Sequence, residues 1–439
     1  MAIVILGVVA DDITGAGDIG GMTAKTGYLT VVHTFTPPAA PAFGTDKVTG
    51  EVCVLDTDSR FDTPEVAYEK VFAATKALQE AGCQQFFNKT CSVFRGNIGA
   101  EFDAMLDALN EEFAVVILGF PKNGRLTKGG VHYIHGKRLE DSDFRYDPVH
   151  PTTRSSLVEI LQAQTRRKVA HLGAEVVAGG ELHQAIKAAR GYANYLILDV
   201  ADQAALALIA RAVQGCRVLC GSSALAEELP ALWPPPKPAP EAPLPPVNGT
   251  GVLCLAGSLT PQTRAQLGQL KAKGMESFTL DTRCLFHDGE RSAEVARLAE
   301  GASAYLERGD EVLVHTENDP EVVRATQWEG EGHGLSKARV GQLISRSLAA
   351  VAVLCLERTG LNRLVVAGGD TSATVCRALG ISRMQVWREI QPGLPSMLAL
   401  PDSSNEVPML LVLKSGSFGE PEFLEEAVQH LKEVTHECS

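Results

Sequence analysis

The ten cysteines contain no Cys-x-x-Cys pair and no zinc-like spacing. That excludes a zinc ribbon and a thioredoxin-type redox motif. Cys53, Cys254 and Cys355 lie in apolar, strand-like runs, where a buried free thiol is expected. No apolar run approaches the ~20 residues of a membrane span; the longest cover residues 2–10 and 351–356. No basic segment precedes the first apolar run, so a secretory signal is not expected. Positive charge is also scarce: 40 Lys and Arg stand against 53 Asp and Glu, a net charge of −13. Such a chain is a poor general binder of nucleic acid or anionic membrane, and an anionic ligand needs a local basic cluster. A cytoplasmic protein with no nucleic-acid and no membrane partner is the expectation.

What is present fits a folded, soluble enzyme-sized chain. Hydrophobic residues make up 45% and charged residues 21% of 439, enough for about two or three domains. The proline-dense stretch 234–247 can be neither helix nor central strand and reads as an extended linker. The expected domains are therefore 1–232 and 248–439, joined by 233–247. On both sides, short β-branched runs alternate with helical periodicity. Strands are expected at 3–9, 52–55, 115–118 and 196–200, then at 251–256, 311–315, 363–367 and 409–413. Helices are expected over 64–82 and from Pro261, Val322, Leu335, Ser372 and Pro421. The fold class is α/β: two α/β domains with mainly parallel sheets flanked by helices. Such sheets bind ligands at the carboxyl ends of their strands.

After the first strand comes Asp11-Asp12-Ile13-Thr14-Gly15-Ala16-Gly17-Asp18-Ile19-Gly20. Gly15, Gly17 and Gly20 satisfy GxGxxG, and a nicotinamide-dependent oxidoreductase using this loop is one alternative. Three aspartates around it oppose a pyrophosphate, and the next strand, 29–33, lacks the acid that holds a ribose. Asp11 and Asp12 better suit a polyol, accepting from its hydroxyls and taking the proton of one that attacks phosphorus. The structural alternative is that one of them caps the following helix.

Basic residues follow the next strands: Arg60 after 52–55, Lys89 and Arg95 after 85–87, and Arg125 after 115–118. Side by side, they would gather near Asp11 and Asp12 and hold a small carboxylate or phosphate. Arg125 alone reads better as a surface cation or ion-pair partner. His132, His135 and His150 form no spacing suited to a metal.

In the second half, Ala367-Gly368-Gly369-Asp370-Thr371-Ser372 reads as strand, glycine turn and helix start. Backbone N–H groups and hydroxyls at such a turn suit phosphate, although the P-loop spacing is absent. Similar turns occur at Gly257-Ser258-Leu259-Thr260-Pro261 and at Lys414-Ser415-Gly416-Ser417-Phe418-Gly419. Any one is explained as a tight turn; three together point to a nucleotide cleft.

As an ordered set, these motifs resemble the four-carbon acid-sugar kinases, which phosphorylate threonate, erythronate and 3-oxo-tetronate with ATP. The resemblance runs across nearly the whole chain. It implies an N-terminal acid-sugar domain and a C-terminal ATP domain that close on one another. By that resemblance Asp11, Arg60, Lys89, Thr90, Cys91, Ser92 and Arg95 meet the acid, and Asp12, with Asp11 as second candidate, takes the hydroxyl proton. Ser258, Gly368, Gly369, Asp370, Thr371, Gly393 and Gly416 meet the nucleotide, with Mg²⁺ bound mainly through phosphate and water. The oligomeric state stays open, a homo-oligomer included.

One departure bears on specificity. The family's Lys-x-Asp-Ser-Thr-x-Arg-Gly reads Lys89-Thr90-Cys91-Ser92-Val93-Phe94-Arg95-Gly96 in this chain, so Cys91 and Val93 replace an aspartate and a threonine. A hydrogen-bonding carboxylate and hydroxyl are lost, which predicts altered acid preference. The same change makes a non-catalytic sensor of the same fold the second alternative.

Overall fold

A computed structural model describes residues 4–35, 50–146, 151–237, 244–245, 249–317, 319–400 and 408–434. Contacts divide the chain into two compact units, Met1–Ala239 and Pro240–Ser439. The division falls in the proline-dense stretch, of which 238–243 and 246–248 lie outside the described residues, as does His150.

In the first unit, β1 (Leu6–Ala10) runs into α1 (Ile13–Ala24), followed by β2 (Thr30–Thr34) and β3 (Val52–Asp56). Next come α2 (Pro64–Glu80), β4 (Gln85–Lys89), α3 (Ile98–Leu109) and β5 (Ala114–Ile117). A small antiparallel sheet follows, of β6 (Arg125–Lys128), β7 (Val131–Ile134) and β8 (Lys137–Arg138). The unit continues with α4 (Leu157–Gln162), β9 (Val169–Leu172), α5 (Ala174–Ala178) and α6 (Leu182–Ala189). Then come β10 (Tyr195–Leu198), α7 (Gln203–Ala212) and β11 (Val218–Gly221). The main sheet is parallel throughout, in the order β2-β3-β1-β4-β11-β5-β10-β9. The central strands β1 and β5 are apolar along their whole length and β3 up to Asp56, as expected of a parallel sheet covered on both faces, while β4 carries polar Asn88 and Lys89 at its site end. Phe102 lies between Phe94 and Tyr195, at ring separations of 6.2 and 5.9 Å, and anchors that core.

The register matters for the site. Ala10 stands level with Asp56 of β3 and with Lys89 of β4, and Lys89 is level with Gly221 of β11. Four strands thus end on one row. The chain leaves β1 toward β3 on one side and β4 on the other, the switch at which open α/β sheets form a crevice.

The second unit begins with β12 (Leu253–Ala256), α8 (Pro261–Ala272), β13 (Glu276–Leu280) and α9 (Asp288–Leu306). It continues with β14 (Val312–Thr316), α10 (Pro320–Gly332), α11 (Lys337–Thr359), β15 (Arg363–Ala367) and α12 (Gly369–Ala378). It closes with β16 (Arg383–Gln391), β17 (Leu394–Ala399), β18 (Met409–Lys414) and α13 (Phe423–Glu433). The sheet order is β13-β14-β12-β15-β18-β17-β16; the first five are parallel, while β17 runs antiparallel to both neighbours. That antiparallel hairpin was not expected from the sequence. By length and composition α11 could cross a membrane. It packs instead on α9 and α12, burying Leu348, Val351 and Cys355.

Candidate functional site

The site in the first unit is built on the turn after β1. Asp12 caps α1, its carboxylate accepting from the Gly15 N–H and the Thr14 hydroxyl, each at 2.8 Å. The helix begins at Ile13, so Gly15, Gly17 and Gly20 are all helical and buried. A dinucleotide fingerprint needs its first glycine in the tight turn before the helix, where Gly15 does not lie. A nicotinamide cofactor at this loop is therefore not favoured, since Gly15, Gly17 and Gly20 lie inside α1.

Asp11 ties three strand ends together. Its N–H donates to the Lys89 carbonyl at 3.2 Å, and its own carbonyl accepts from Ser59 and Arg60 N–H. The Arg60 guanidinium returns over it. Nε and Nη2 each donate to an Asp11 oxygen and Nη1 donates to Asp12, all at 2.7 Å. Asn97 Nδ2 fixes this turn by donating to the Ser59 and Asp62 carbonyls at 3.0 and 2.9 Å. Burial pushes Asp12 upward, but Arg60 and then Lys89 outweigh it and hold the carboxyl at about 2. Burial also works against the Arg60 charge, and the two aspartates outweigh it. Arg60 is thus a carboxylate-paired cation at the centre of the cluster.

Lys89 stands beside this pair. A Cβ placed on Gly15 would lie 2.5 Å from Asp12 Oδ1 and 2.9 Å from Lys89 Nζ, so glycine is what lets the two charges approach the helix start. Lys89 Nζ donates to the Thr90 carbonyl and lies 3.7 Å from Asp18 Oδ2. Asp18, on the inner side of α1, accepts from Ser223 at 2.7 Å, while its Oδ1 has no hydrogen-bond partner among the described residues. Burial raises Asp18 to about 6 despite Lys89. From the sequence Asp18 is only an unfavourable charge near the first loop, and Ser223, some two hundred positions away, carries no signal of this contact.

Thr90 and Ser92 are buried in the turn after β4; Thr90 N–H donates to the Gly221 carbonyl at 2.9 Å. Cys91 Sγ accepts from Arg95 Nε at 3.3 Å. Burial pushes this thiol up, yet Arg95 and Arg60 bring it below its ordinary value. Cys91 and Val93 pack with Ile134 and Leu139, so the positions that lost an aspartate and a threonine form an apolar patch. Arg125 is not the surface cation expected: it is buried beside the same turn, and burial lowers it to about 10 against the pull of Cys91 and Asp18. His132 donates from Nε2 to the Ser92 carbonyl at 3.0 Å, and burial, then Arg125, lowers it to about 3. It is a neutral strut beneath the turn. Among the described residues no group of three His, Cys, Asp or Glu is arranged to hold a metal.

In the second unit, Ala256, Ala367 and Lys414 end adjacent strands at one level. Thr260 caps α8, with Pro261 in its first turn. Gly368 adopts φ +127° at the start of α12, where its Cβ would lie 3.3 Å from the Ser258 N atom. A Cβ on Gly416 would stand 2.3 Å from Ser258 Oγ. Ser258, Gly368, Thr371 and Gly416 are therefore brought together, with Gly369 and the exposed Asp370 in the first turn of α12. Gly393 sits in the β16–β17 turn. Because β17 pairs antiparallel to β18, Ser396 opposite Val412, that turn lies at the same strand end as Gly416. Glu420 N–H donates to Gln391 Oε1, joining the turn to the segment after β18.

Comparison with known proteins follows these two halves. Residues 6–229 match a sugar-binding N-terminal domain family and residues 253–424 a nucleotide-binding C-terminal domain family. The chain is 33% identical to a Cupriavidus necator 3-oxo-tetronate kinase, covering 97% of each. It is 33% identical to the Brucella melitensis 3-oxo-tetronate kinase, covering 96% of this chain and 94% of that one. Among solved structures, a Salmonella typhimurium LT2 protein provisionally described as a tRNA synthase matches with TM-score 0.79 at 26% identity, over 97% of this chain and 99% of that one. A Haemophilus influenzae protein matches with TM-score 0.71 at 27% identity, over 97% and 100%. Two domain matches in the expected order, together with full-length relatives at this identity, show that the chain belongs to the four-carbon acid-sugar kinase family.

Proposed function

We propose that this protein is an ATP-dependent kinase of a small sugar acid, a tetronate or 3-oxo-tetronate, with residues 1–232 binding the acid and 248–439 the nucleotide. The observation that carries the reading is the buried Asp11–Asp12–Arg60 cluster at the carboxyl ends of β1, β3 and β4, with Lys89 beside it. Arg60 commits three N–H groups to the aspartates, so its first task is to orient them. Lys89 and Arg95 carry most of the attraction for the acid's carboxylate, completed by the outer edge of Arg60. Thr90, Cys91 and Ser92 line the same turn.

In the transfer, the acid's hydroxyl oxygen bonds to the γ-phosphorus, the bond to ADP breaks, and the hydroxyl proton passes to Asp12. A carboxylate held at about 2 serves because the hydroxyl becomes acidic only as its oxygen bonds phosphorus, late in a loose transition state. Ser258, Gly368 to Thr371, Gly393 and Gly416 meet the nucleotide. Mg²⁺ carried in on the nucleotide would offset the phosphate charge during transfer. The Ser258, Thr260 and Thr371 hydroxyls that meet around the glycine turns are the groups that could hold such a cation beside the phosphates. A reaction on small metabolites in a chain with free, mostly buried cysteines suits the cytoplasm. ADP formation across a panel of four-carbon hydroxy acids tests the assignment. Turnover dependent on one of them is expected, and nicotinamide reduction without ATP use would overturn it.

A further inference from the structure

Lys414 ends β18, yet its side chain is fully buried. The ammonium donates to Thr263 Oγ1 at 2.9 Å, to the Ser415 carbonyl at 2.9 Å and to the Gly416 carbonyl at 3.0 Å. Thr260 and Thr263 hydroxyls donate to that same Gly416 carbonyl at 2.5 and 2.9 Å. Two successive carbonyls are thus drawn inward to one cation. In a trans peptide the N–H points opposite to its carbonyl. The Gly416 and Ser417 N–H groups are consequently turned away from Lys414, in a loop whose Gly416 Cβ position lies 2.3 Å from Ser258 Oγ. Successive outward amides form a concavity for anions. Lys414 has no carboxylate partner among the described residues, and an ammonium buried without a counter-ion is unfavourable. An anion bound on the outer side of the loop would supply the missing charge.

We propose that Lys414 is the positioning residue of the nucleotide site: it aims the Gly416–Ser417 amides at a phosphate of ATP and provides the buried positive charge that this phosphate neutralises. The proposal rests on the nucleotide reading above and adds the residue that organises it.

Linkage to protons follows. Burial lowers Lys414 to about 7. The titratable group that acts on it is the Cys254 thiol on neighbouring β12, itself raised to about 12 by burial and hence neutral. From α8 it meets Thr263, and from its own loop two carbonyls. Near pH 8 the amine is therefore largely deprotonated in the free protein, and a phosphate overhead restores its proton.

Calorimetric titration of the full chain with MgATP at pH 8, in buffers of different ionisation enthalpy, tests this. Wild type is expected to take up a fraction of a proton on binding, and affinity is expected to weaken from pH 6.5 to 8.5. Lys414→Met and Lys414→Gln should each bind MgATP about 10- to 100-fold more weakly, with no proton uptake and an unchanged or raised melting temperature. Wild-type affinity in both variants, or wild-type binding with no proton uptake, would overturn the role of Lys414 alone. Wild type that binds no MgATP would reject the nucleotide reading as well.

Discussion

Arg60 holds Asp11 through two parallel hydrogen bonds of 2.7 Å and reaches Asp12 with a third of the same length, all in a buried setting. A planar fork does this and a single ammonium does not. Arg60→Lys should keep the charge and lose the two-point grip, lowering kcat/KM for the acid by about 10- to 100-fold with MgATP binding unchanged. Arg60→Ala strips the buried Asp11 carboxylate of its two-point partner and leaves Asp12 with Lys89, Thr14 and the Gly15 N–H, and should cost about 3–5 kcal/mol of stability. Kinetics on the first and thermal melting of the second check both. A lysine variant with full activity would contradict the orienting role.

Cys91 and Val93 follow Lys89 in the turn after β4 and pack with Ile134 and Leu139. Cys91→Asp should restore a hydrogen-bond acceptor next to Arg95, which now donates to the thiol at 3.3 Å. The expected outcome is a shift of the acid profile toward threonate and erythronate by about tenfold or more relative to the wild-type preference. An unchanged profile across the panel would show that this position does not meet the substrate.

The arrangement was partly legible in the sequence, for reasons visible in particular residues. Strands such as 52–55 and 363–367 stand out because a sheet covered on both faces demands apolar runs, broken in the second only by Arg363 at its start. The β16–β17 hairpin does not. Its first strand, Arg383–Gln391, is mostly half-exposed and carries Arg388 and Glu389, so no clean period appears. The convergence of Arg60 with Asp11 and Asp12 followed from strand ends lying side by side, which register then aligned. The engagement of Arg60 by both aspartates, the burial of Arg125 and the pairing of Ser223 with Asp18 depend on tertiary contacts between distant segments. Spacing carries no trace of these. For Asp12 the capping and active-site readings were posed as rivals, and its carboxylate caps α1 while also meeting Arg60.

Asp18 makes a pH prediction with a definite sign. Its folded pKa, raised from 3.8 to about 6 chiefly by burial, means the folded state holds the proton more tightly. Stability from this group is present below about pH 4 and is lost as pH rises to about 6, by roughly 3 kcal/mol. Asp18→Asn keeps an acceptor for Ser223 and removes the charge. It should melt with wild type at pH 4 and above it at pH 8. A variant less stable than wild type at pH 8 would contradict the assignment.

Gly416→Ala tests the second unit. The added methyl would sit 2.3 Å from Ser258 Oγ and 3.0 Å from Thr260 Cγ2, pressing the Gly416 loop away from the loop after β12. A rise of about tenfold or more in the KM for ATP is expected, with the KM for the acid within twofold. Equal effects on both would assign the glycine a general structural role.

The most direct test of the central claim replaces the proposed proton acceptor while keeping its structural task. Asn is as good a helix cap as Asp, so Asp12→Asn retains the Gly15 contact and should fold and bind MgATP as wild type does. ADP formation with the acid that wild type turns over should fall by about 10²- to 10⁴-fold, the range for loss of a positioned base. Turnover within a few-fold of wild type, with the acid still phosphorylated, would contradict the assignment of Asp12 as the group that receives the proton.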